Sequence, residues 1–129
     1  MSFPISSMMQ RQVHAVGMDD SLASIEALLR EKRLSWAPVQ DPAGRVVGVV
    51  SATDLLQARA RQPDTDRISA WQLCTYKPVA VEPTTPVGDV ARLMVERRIH
   101  HVVVIDGDAL VGVVSSLDFV DLFESQSGG

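Results

Sequence analysis

The chain has 129 residues, of which 46% are hydrophobic and 22% charged, and its formal net charge is -4. This length suits one compact domain, and the composition supports a folded core and excludes a largely disordered chain. The acidic balance argues against a nucleic-acid partner, which requires clustered Lys and Arg. Because no apolar run approaches the ~20 residues of a membrane span, the sequence also predicts no membrane partner.

Two further features bear on compartment and chemistry. Residues 1–10 lack a basic segment followed by an apolar one, so we expect no secretory signal. The single cysteine, Cys74, excludes an internal disulfide and a thiolate-rich zinc site. The sequence therefore predicts a cytoplasmic protein without a metal site.

The first half begins with an apolar lead-in around Met8 and Met9, followed by a short apolar piece at residues 13–16 with the composition of a strand. Apolar residues then repeat at helical spacing after Ser21, which can cap a helix. This pattern predicts a helix over residues 21–33.

A hairpin and a second helix follow. Residues 38–39 and 46–50 read as its strands, and the turn at 41–44 is Asp-Pro-Ala-Gly. The second helix is predicted from Ser51 to about Ala60. Residues 59–69 are polar and predict a linker, whose charged side chains we expect to be solvated: Arg59, Arg61, Asp64, Asp66 and Arg67.

The second half repeats this order. An apolar segment at 71–74 and a short strand at 78–81 precede a helix that Thr85 is expected to cap, with Pro86 at its first position. The inward face of this helix is predicted to be Val87, Val90, Leu93 and Met94. A hairpin with strands 102–105 and 110–114 leads to a last helix, and residues 125–129 should be loose.

The two halves match in register. Pro38 corresponds to Val103 at an offset of 65 residues, whereas Gly48 corresponds to Gly112 at an offset of 64. The slip falls inside the hairpin turn, where one extra residue is easily tolerated. An internal duplication therefore predicts two units that pack together.

The duplicated unit, closing twice on Gly-Val-Val-Ser-x-x-Asp, resembles the CBS domain, and two copies resemble a CBS pair or Bateman module. The resemblance implies an α+β (α/β) fold of two tandem β-α-β-β-α repeats packed with pseudo-two-fold symmetry. The whole chain, 1–129, would be one module: repeat 1 at 8–60, a linker at 61–72, repeat 2 at 73–124 and the tail 125–129. Such pairs usually accompany an enzyme or transporter domain, and from this sequence we expect none. The resemblance thus implies a stand-alone regulatory protein, a homodimer acting on an unknown protein target.

Asp54 and Asp118 are the first candidate ligand residues, because a carboxylate can accept hydrogen bonds from both hydroxyls of a ribose. The alternative is simple helix capping, since each Asp lies in a first helical turn. Ser51 and Ser115 fit the caps themselves, which would leave the aspartates free for a cleft. In similar proteins the Ser or Thr position binds ribose or phosphate, and Thr53 is a weaker addition.

His100 and His101 form the second candidate set, at positions where similar proteins often place cations that contact nucleotide phosphates. A histidine at a strand edge with a backbone partner is the alternative, above all for His101. Repeat 1 has Ser35 and Trp36 at the matching positions, which puts tight triphosphate binding in doubt for one cleft. Adjacent histidines on a strand point to opposite faces, which argues against a metal site.

The resemblance implies that each cleft is shared between the repeats. One cleft would combine Ser51 and Asp54 with Val79, Ile99 and His100. The other would combine Ser115 and Asp118 with His14, Leu34 and Ser35.

The leading functional hypothesis is a regulatory module that binds an adenine nucleotide (AMP, ADP or ATP) or S-adenosylmethionine and controls a partner, with no obligatory cofactor. The alternative is a ligand-free scaffold that dimerises and docks on a partner. An enzyme is a distant third, because the sequence has no nucleophile–base pair, no phosphate-binding Gly-rich loop and no metal-ligand spacing.

Overall fold

The structure, a computed structural model, describes residues 3–76 and 78–127. These residues form two compact units. The contiguous unit is His14–Pro78, and the composite unit joins residues 3–13 to residues 79–127. None of the helices in the described part of the chain is both long and apolar enough to cross a membrane.

The contiguous unit contains a four-stranded sheet in the order β1-β2-β3-β4, with β1 parallel to β2 and the other pairs antiparallel. Its elements are β1 (Val16–Gly17), α1 (Leu22–Lys32), β2 (Trp36–Gln40), β3 (Val46–Ser51), α2 (Ala52–Arg61), α3 (Ala70–Leu73) and β4 (Thr75–Tyr76). The apolar faces of α1 and the hairpin form its core, centred on Leu22, Ile25, Val39 and Val50. Because burying these side chains removes apolar surface from water, this core is the main source of the unit's stability.

The composite unit contains a three-stranded sheet in the order β5-β6-β7. A 3-10 turn (Ile5–Ser7) precedes β5 (Ala80–Val81), α4 (Val87–Arg97), β6 (His101–Asp106), β7 (Ala109–Ser115) and α5 (Ser116–Ser127). Its core joins Ile5 and Met9 of the lead-in to Val90, Val104 and Val114. The lead-in therefore completes the core of this unit.

The internal duplication is confirmed in detail. Both hairpins carry a register shift at the matching place, between Val39 and Gln40 and between Val104 and Ile105. Helices α1 and α4 both end at an arginine in the left-handed conformation, with φ of 56° at Arg33 and 54° at Arg98. The predicted α+β architecture of two repeats, with both hairpins and all four long helices, is confirmed.

Each repeat is preceded by a lead-in segment, residues 3–13 before the first and residues 70–76 before the second. Residues 3–13 pack with the later half of the chain and residues 70–76 with the earlier half, and this exchange of lead-ins was not predicted. The Ile5 amide donates to the Thr85 carbonyl at 2.7 Å, and the Ala70 amide donates to the Asp20 carbonyl at 2.8 Å. Residues 3–13 thus belong with the later half of the chain, although they precede the first repeat. The repeat limits 8–60 and 73–124 and the linker 61–72 stay a prediction.

Three local predictions were wrong. Pro86 is itself the N-cap of α4, which begins at Val87, so Thr85 does not cap this helix. The two short strands are shorter than the predicted 13–16 and 78–81: β1 starts at Val16 and β5 at Ala80. Helix α5 continues to Ser127, into the segment predicted to be loose, and residues 128–129 lie outside the described residues.

The five charged residues of the linker are exposed, as predicted, but the ion pairs of Arg59 were not predicted. Arg59 is paired across helices with Glu26 at 2.9 Å and with Asp66 at 3.0 Å. It also donates to the hydroxyl of Thr65 at 3.1 Å, and Thr65 is only 1% exposed. These bonds join α1, α2 and residues 65–66 within the contiguous unit, because Arg59 of α2 bonds to all three partners.

Candidate ligand sites

Helix α2 begins with a reciprocal capping box between Ser51 and Asp54. The Ser51 hydroxyl accepts from the Asp54 amide at 3.2 Å, and the Asp54 Oδ2 atom accepts from the Ser51 amide at 2.8 Å. The same Oδ2 accepts from the Ser51 hydroxyl at 3.0 Å. The capping alternative is therefore confirmed for Asp54, and the cap fixes the orientation of its carboxylate, whereas its role in ligand binding stays a prediction.

The capping bonds use one oxygen of Asp54. Among the described residues, none donates a hydrogen bond to its Oδ1 atom. Asp54 also lines a polar hollow of about 420 Å³ within the contiguous unit. This volume lies in the range of small-molecule sites in proteins, roughly 300–1,000 Å³. One carboxylate oxygen thus remains available to a ligand without opening the helix cap.

The hollow brings in residues that the sequence reasoning missed. Besides Asp54 it is lined by Gln57, Ala58, Arg61, Gln62, Ile68, Gln72 and Leu73. A helical spacing of three, four and seven residues from Asp54 places Gln57, Ala58 and Arg61 on one face of α2, and that spacing was a usable signal. Arg61, which was expected to be a solvated linker residue, adds a cation to this face.

Helix α5 begins with a similar contact, but its aspartate is more fully bonded. The Asp118 Oδ2 atom accepts from the Ser115 amide at 2.8 Å. Its Oδ1 atom accepts from the side-chain amide of Gln10 at 3.1 Å. Both oxygens of Asp118 therefore have a protein partner, and Gln10 was not among the predicted site residues.

The other predicted residues of the contiguous unit surround the start of α2 or lie before β1. The Ser35 carbonyl accepts from the Ala52 amide at 2.8 Å, next to Ser51. Leu34 lines a second hollow of about 310 Å³ between α1 and α2. Thr53 is exposed on the first turn of α2, and His14 is half-buried ahead of β1.

In the composite unit, His100 and His101 lie beside the start of α5, and Ile99 and Val79 lie near them in the same unit. The His100 carbonyl accepts from the Ser116 amide at 2.8 Å, and His101 lies opposite Ser115 in the β6–β7 pair. Ile99 and His100 line an apolar hollow of about 420 Å³ between α4 and α5. The Val79 carbonyl accepts from the Val103 amide at 3.1 Å, which places Val79 at the edge of the sheet.

The structure thus brings Ser35 beside Ser51 and Asp54, and His100 beside Ser115 and Asp118. The predicted combinations across the repeats join residues of different units and stay predictions. Within the described residues, no group of three or more His, Cys, Asp or Glu side chains could hold a metal ion.

Two residues of the contiguous unit that are not predicted site residues have shifted pKa values, Glu26 and Cys74. The hydrogen bond from Arg59 lowers the pKa of the Glu26 carboxyl below its ordinary value of 4.5, against an opposing effect of burial. Burial raises the pKa of the Cys74 thiol above its ordinary value of 9.0. A raised pKa disfavours the thiolate, so Cys74 has no support as a nucleophile.

Comparison with known proteins yields one family. The family model of the CBS domain matches residues 5–61 and again residues 70–125. Among curated relatives, the chloroplastic CBS domain-containing protein CBSX2 of Arabidopsis thaliana is 29% identical, over 82% of this chain and 56% of that protein. The uncharacterized protein MJ1404 of Methanocaldococcus jannaschii is 28% identical, over 90% of this chain and 31% of that protein. The chain therefore spans less than two thirds of the length of these relatives.

Solved structures agree on the fold. The crystal structure of CBSX2 in complex with AMP has a TM-score of 0.84 and 26% identity, and the match covers 97% of this chain and 98% of that one. A putative acetoin utilization protein, AcuB, from Vibrio cholerae has a TM-score of 0.88 and 23% identity, with coverage of 100% and 98%. The CBS domain pair of MJ0100, solved with 5′-methylthioadenosine and S-adenosyl-L-methionine, has a TM-score of 0.87 and 21% identity, with coverage of 98% and 99%. With two matched family segments that together span most of its length, the chain belongs to the CBS domain family.

Proposed function

We propose that this chain is a regulatory module that binds an adenosine-containing ligand through the aspartates at the starts of α2 and α5 and thereby controls a partner protein. The ligand class is an adenine nucleotide or S-adenosylmethionine. The single observation that carries the proposal is the geometry of Asp54, whose carboxylate is held by its own helix cap while its Oδ1 atom is left for a ligand.

The chemistry of a ribose fits this arrangement. Its neighbouring 2′- and 3′-hydroxyls are two donors close together, and an ionised carboxylate is a strong acceptor with several lone pairs. Since the cap has already fixed the orientation of Asp54, less freedom is lost when the ligand binds. The adjoining polar hollow supplies glutamine amides and one guanidinium, from Arg61, for the remaining polar groups of the ligand.

The relatives support the same ligand class. CBSX2, which is 26% identical in its solved structure, was crystallised with AMP. MJ0100 was crystallised with two adenosine-derived ligands. A ligand of this kind regulates a partner only if it binds two states of the module with different affinities. We therefore propose that ligand occupancy changes the module's affinity for its protein target.

Thermal unfolding tests this function. We expect at least one of AMP, ADP, ATP and S-adenosylmethionine to raise the melting temperature of the wild type, because a ligand that binds only the folded state stabilises it by mass action, about 2.7 kcal/mol at a hundredfold excess over Kd. The double variant Asp54→Asn with Asp118→Asn should lose most of this rise. Asparagine keeps a carbonyl oxygen for the cap, so the variant should still fold.

A matched control is Asp106→Asn, which removes one exposed carboxylate at the end of β6. It should respond to the ligand like the wild type. The absence of a rise with all four ligands in the wild type, or an equal rise in the double variant, would overturn the proposed function.

A second candidate function is a scaffold that dimerises without a ligand, and one surface favours it. Helices α4 and α5 carry exposed apolar side chains, among them Val95 at 77%, Val120 at 56% and Phe123 at 46% exposure. Exposed apolar clusters of this kind often mark contacts with other proteins. If this reading holds, Val120→Lys should convert a dimer to monomers in light scattering, and adenosyl ligands should leave stability unchanged.

A further inference from the structure

We propose that Gln10 is a specificity-determining residue: it occupies the ligand position of Asp118 and makes the Asp54 site the stronger of the two. This inference rests on the proposed function and adds an order of affinity to it. Its basis is a side-chain hydrogen bond, from the Gln10 amide to the Asp118 Oδ1 atom at 3.1 Å, that joins residues 108 positions apart.

Gln10 and Thr75 hold the same structural position in the two units. The Gln10 amide donates to the Val113 carbonyl at 2.9 Å, and the Val113 amide donates back at 3.0 Å. In the contiguous unit, the strand partner of Val49 is Thr75. Val49 and Val113 are matching residues of the duplication, so each lead-in crosses its hairpin at the same point. The side chain beside the aspartate is therefore a glutamine in one unit and a threonine in the other.

The backbone around Gln10 holds it in place. Met9, its neighbour, is buried in the core of the composite unit and is only 8% exposed. Gly112 faces this segment without a side chain, and a Cβ atom there would lie 3.2 Å from the Gln10 carbonyl oxygen. Since the backbone is bonded on one side and packed on the other, only the side chain of Gln10 is free to leave Asp118.

The consequence for binding is direct. With Ser115 on Oδ2 and Gln10 on Oδ1, each oxygen of Asp118 already accepts one hydrogen bond, so a ribose hydroxyl that approaches Oδ1 competes with the Gln10 amide for that atom. At Oδ1 of Asp54 a ligand meets no such competitor, and among the described residues Thr75 donates no hydrogen bond to Asp54. The threonine side chain is also shorter and has no amide. A displaced hydrogen bond to a charged acceptor corresponds to a difference in affinity of roughly tenfold.

Calorimetric titration with AMP, or with whichever of the four ligands binds best, tests this order. The wild type should show a strong site that Asp54→Asn removes and a site at Asp118 that is roughly tenfold weaker or unoccupied. Gln10→Thr should strengthen or reveal the weak site and leave the strong one unchanged. The reciprocal variant Thr75→Gln should weaken the strong site by a similar factor.

The two substitutions are matched controls, because each places in one unit the residue found in the other at an exposed position. Circular dichroism and thermal unfolding without ligand verify that both variants fold. Two equal sites in the wild type, a strong site that Asp118→Asn removes, or an Asp118 site unaffected by Gln10→Thr would each overturn the inference while the proposed function stands. If no ligand binds the wild type, both fail together.

Discussion

The helix pairs of the two units have the same backbone design but opposite surface chemistry. Between α1 and α2, Glu26 and Arg59 form an ion pair, and Arg30 lies 3.7 Å from the same carboxylate. The matching positions between α4 and α5 are Ala91, Phe123 and Val95. At these positions one groove is therefore bridged by charged side chains, and the other is lined by apolar side chains.

This difference shows what the duplication constrains. Buried positions keep their apolar character in both copies, because the core of each unit requires it. Surface positions of the same helices are free to differ, since their contribution to stability is small. Function and partner choice can thus separate between the copies while the fold stays the same.

The largest expected effect is a loss of stability when alanine replaces the matching strand glycines, Gly48 and Gly112. A Cβ atom at Gly48 would lie 2.6 Å from the Thr75 carbonyl oxygen, which is backbone, so Gly48→Ala should lower the free energy of unfolding by about 1–3 kcal/mol. At Gly112 the added atom would clash with the Sδ atom of Met9 and lie 2.8 Å from its Cγ atom, but these atoms belong to a flexible side chain that can move. Gly112→Ala should therefore cost less in urea unfolding. An equal or larger loss for Gly112→Ala would contradict this account.

A smaller effect is expected at the ion pairs of the contiguous unit. Arg59→Met keeps much of the side-chain volume but removes the bonds to Glu26, Thr65 and Asp66. It should lower the melting temperature at low salt and lower it less at high salt, because salt screens exposed charges. Phe123→Met, at the matching position, is the control: its effect should not depend on salt. An equal fall in the melting temperature of Arg59→Met at both salt concentrations would contradict the electrostatic explanation.

The smallest expected effect is on the stability of the fold at acidic pH. The Glu26 pKa is lowered in the folded protein, chiefly by the Arg59 hydrogen bond, so this carboxylate stabilises the fold above its unfolded pKa and loses that contribution as the pH falls through the folded value. Wild type should therefore lose stability below about pH 4.5 more steeply than Glu26→Gln. Melting temperatures measured from neutral pH downwards give the difference, and parallel curves would contradict the prediction.

Much of the fold was predictable because its signals are local. Ser21 and the apolar spacing after it predict α1 to within a residue or two, and the two Gly-Val-Val-Ser-x-x-Asp segments locate the ends of both hairpins. The N-cap of α4 was misassigned because Thr85 and Pro86 both suit a helix start, and only backbone angles separate them.

The site was less predictable because its decisive contacts are not local. Ser51 and Asp54 could be identified from a spacing of three residues, but the bond from Gln10 to Asp118 spans 108. It depends on the exchange of lead-in segments, which leaves no periodic pattern in the sequence. The ion pair of Arg59 was missed for the same reason, since a charge in a polar stretch gives no indication of its partner on another helix.

That exchange of lead-ins also bears on how the protein emerges from the ribosome. All residues of the contiguous unit leave the exit tunnel in one uninterrupted stretch, so this half can acquire its structure early. Ile5 and Met9 leave before this stretch, yet the core they fill is finished only when the α5 segment has been synthesised. We therefore expect the contiguous unit to fold first during synthesis, while residues 3–13 wait for the α5 segment.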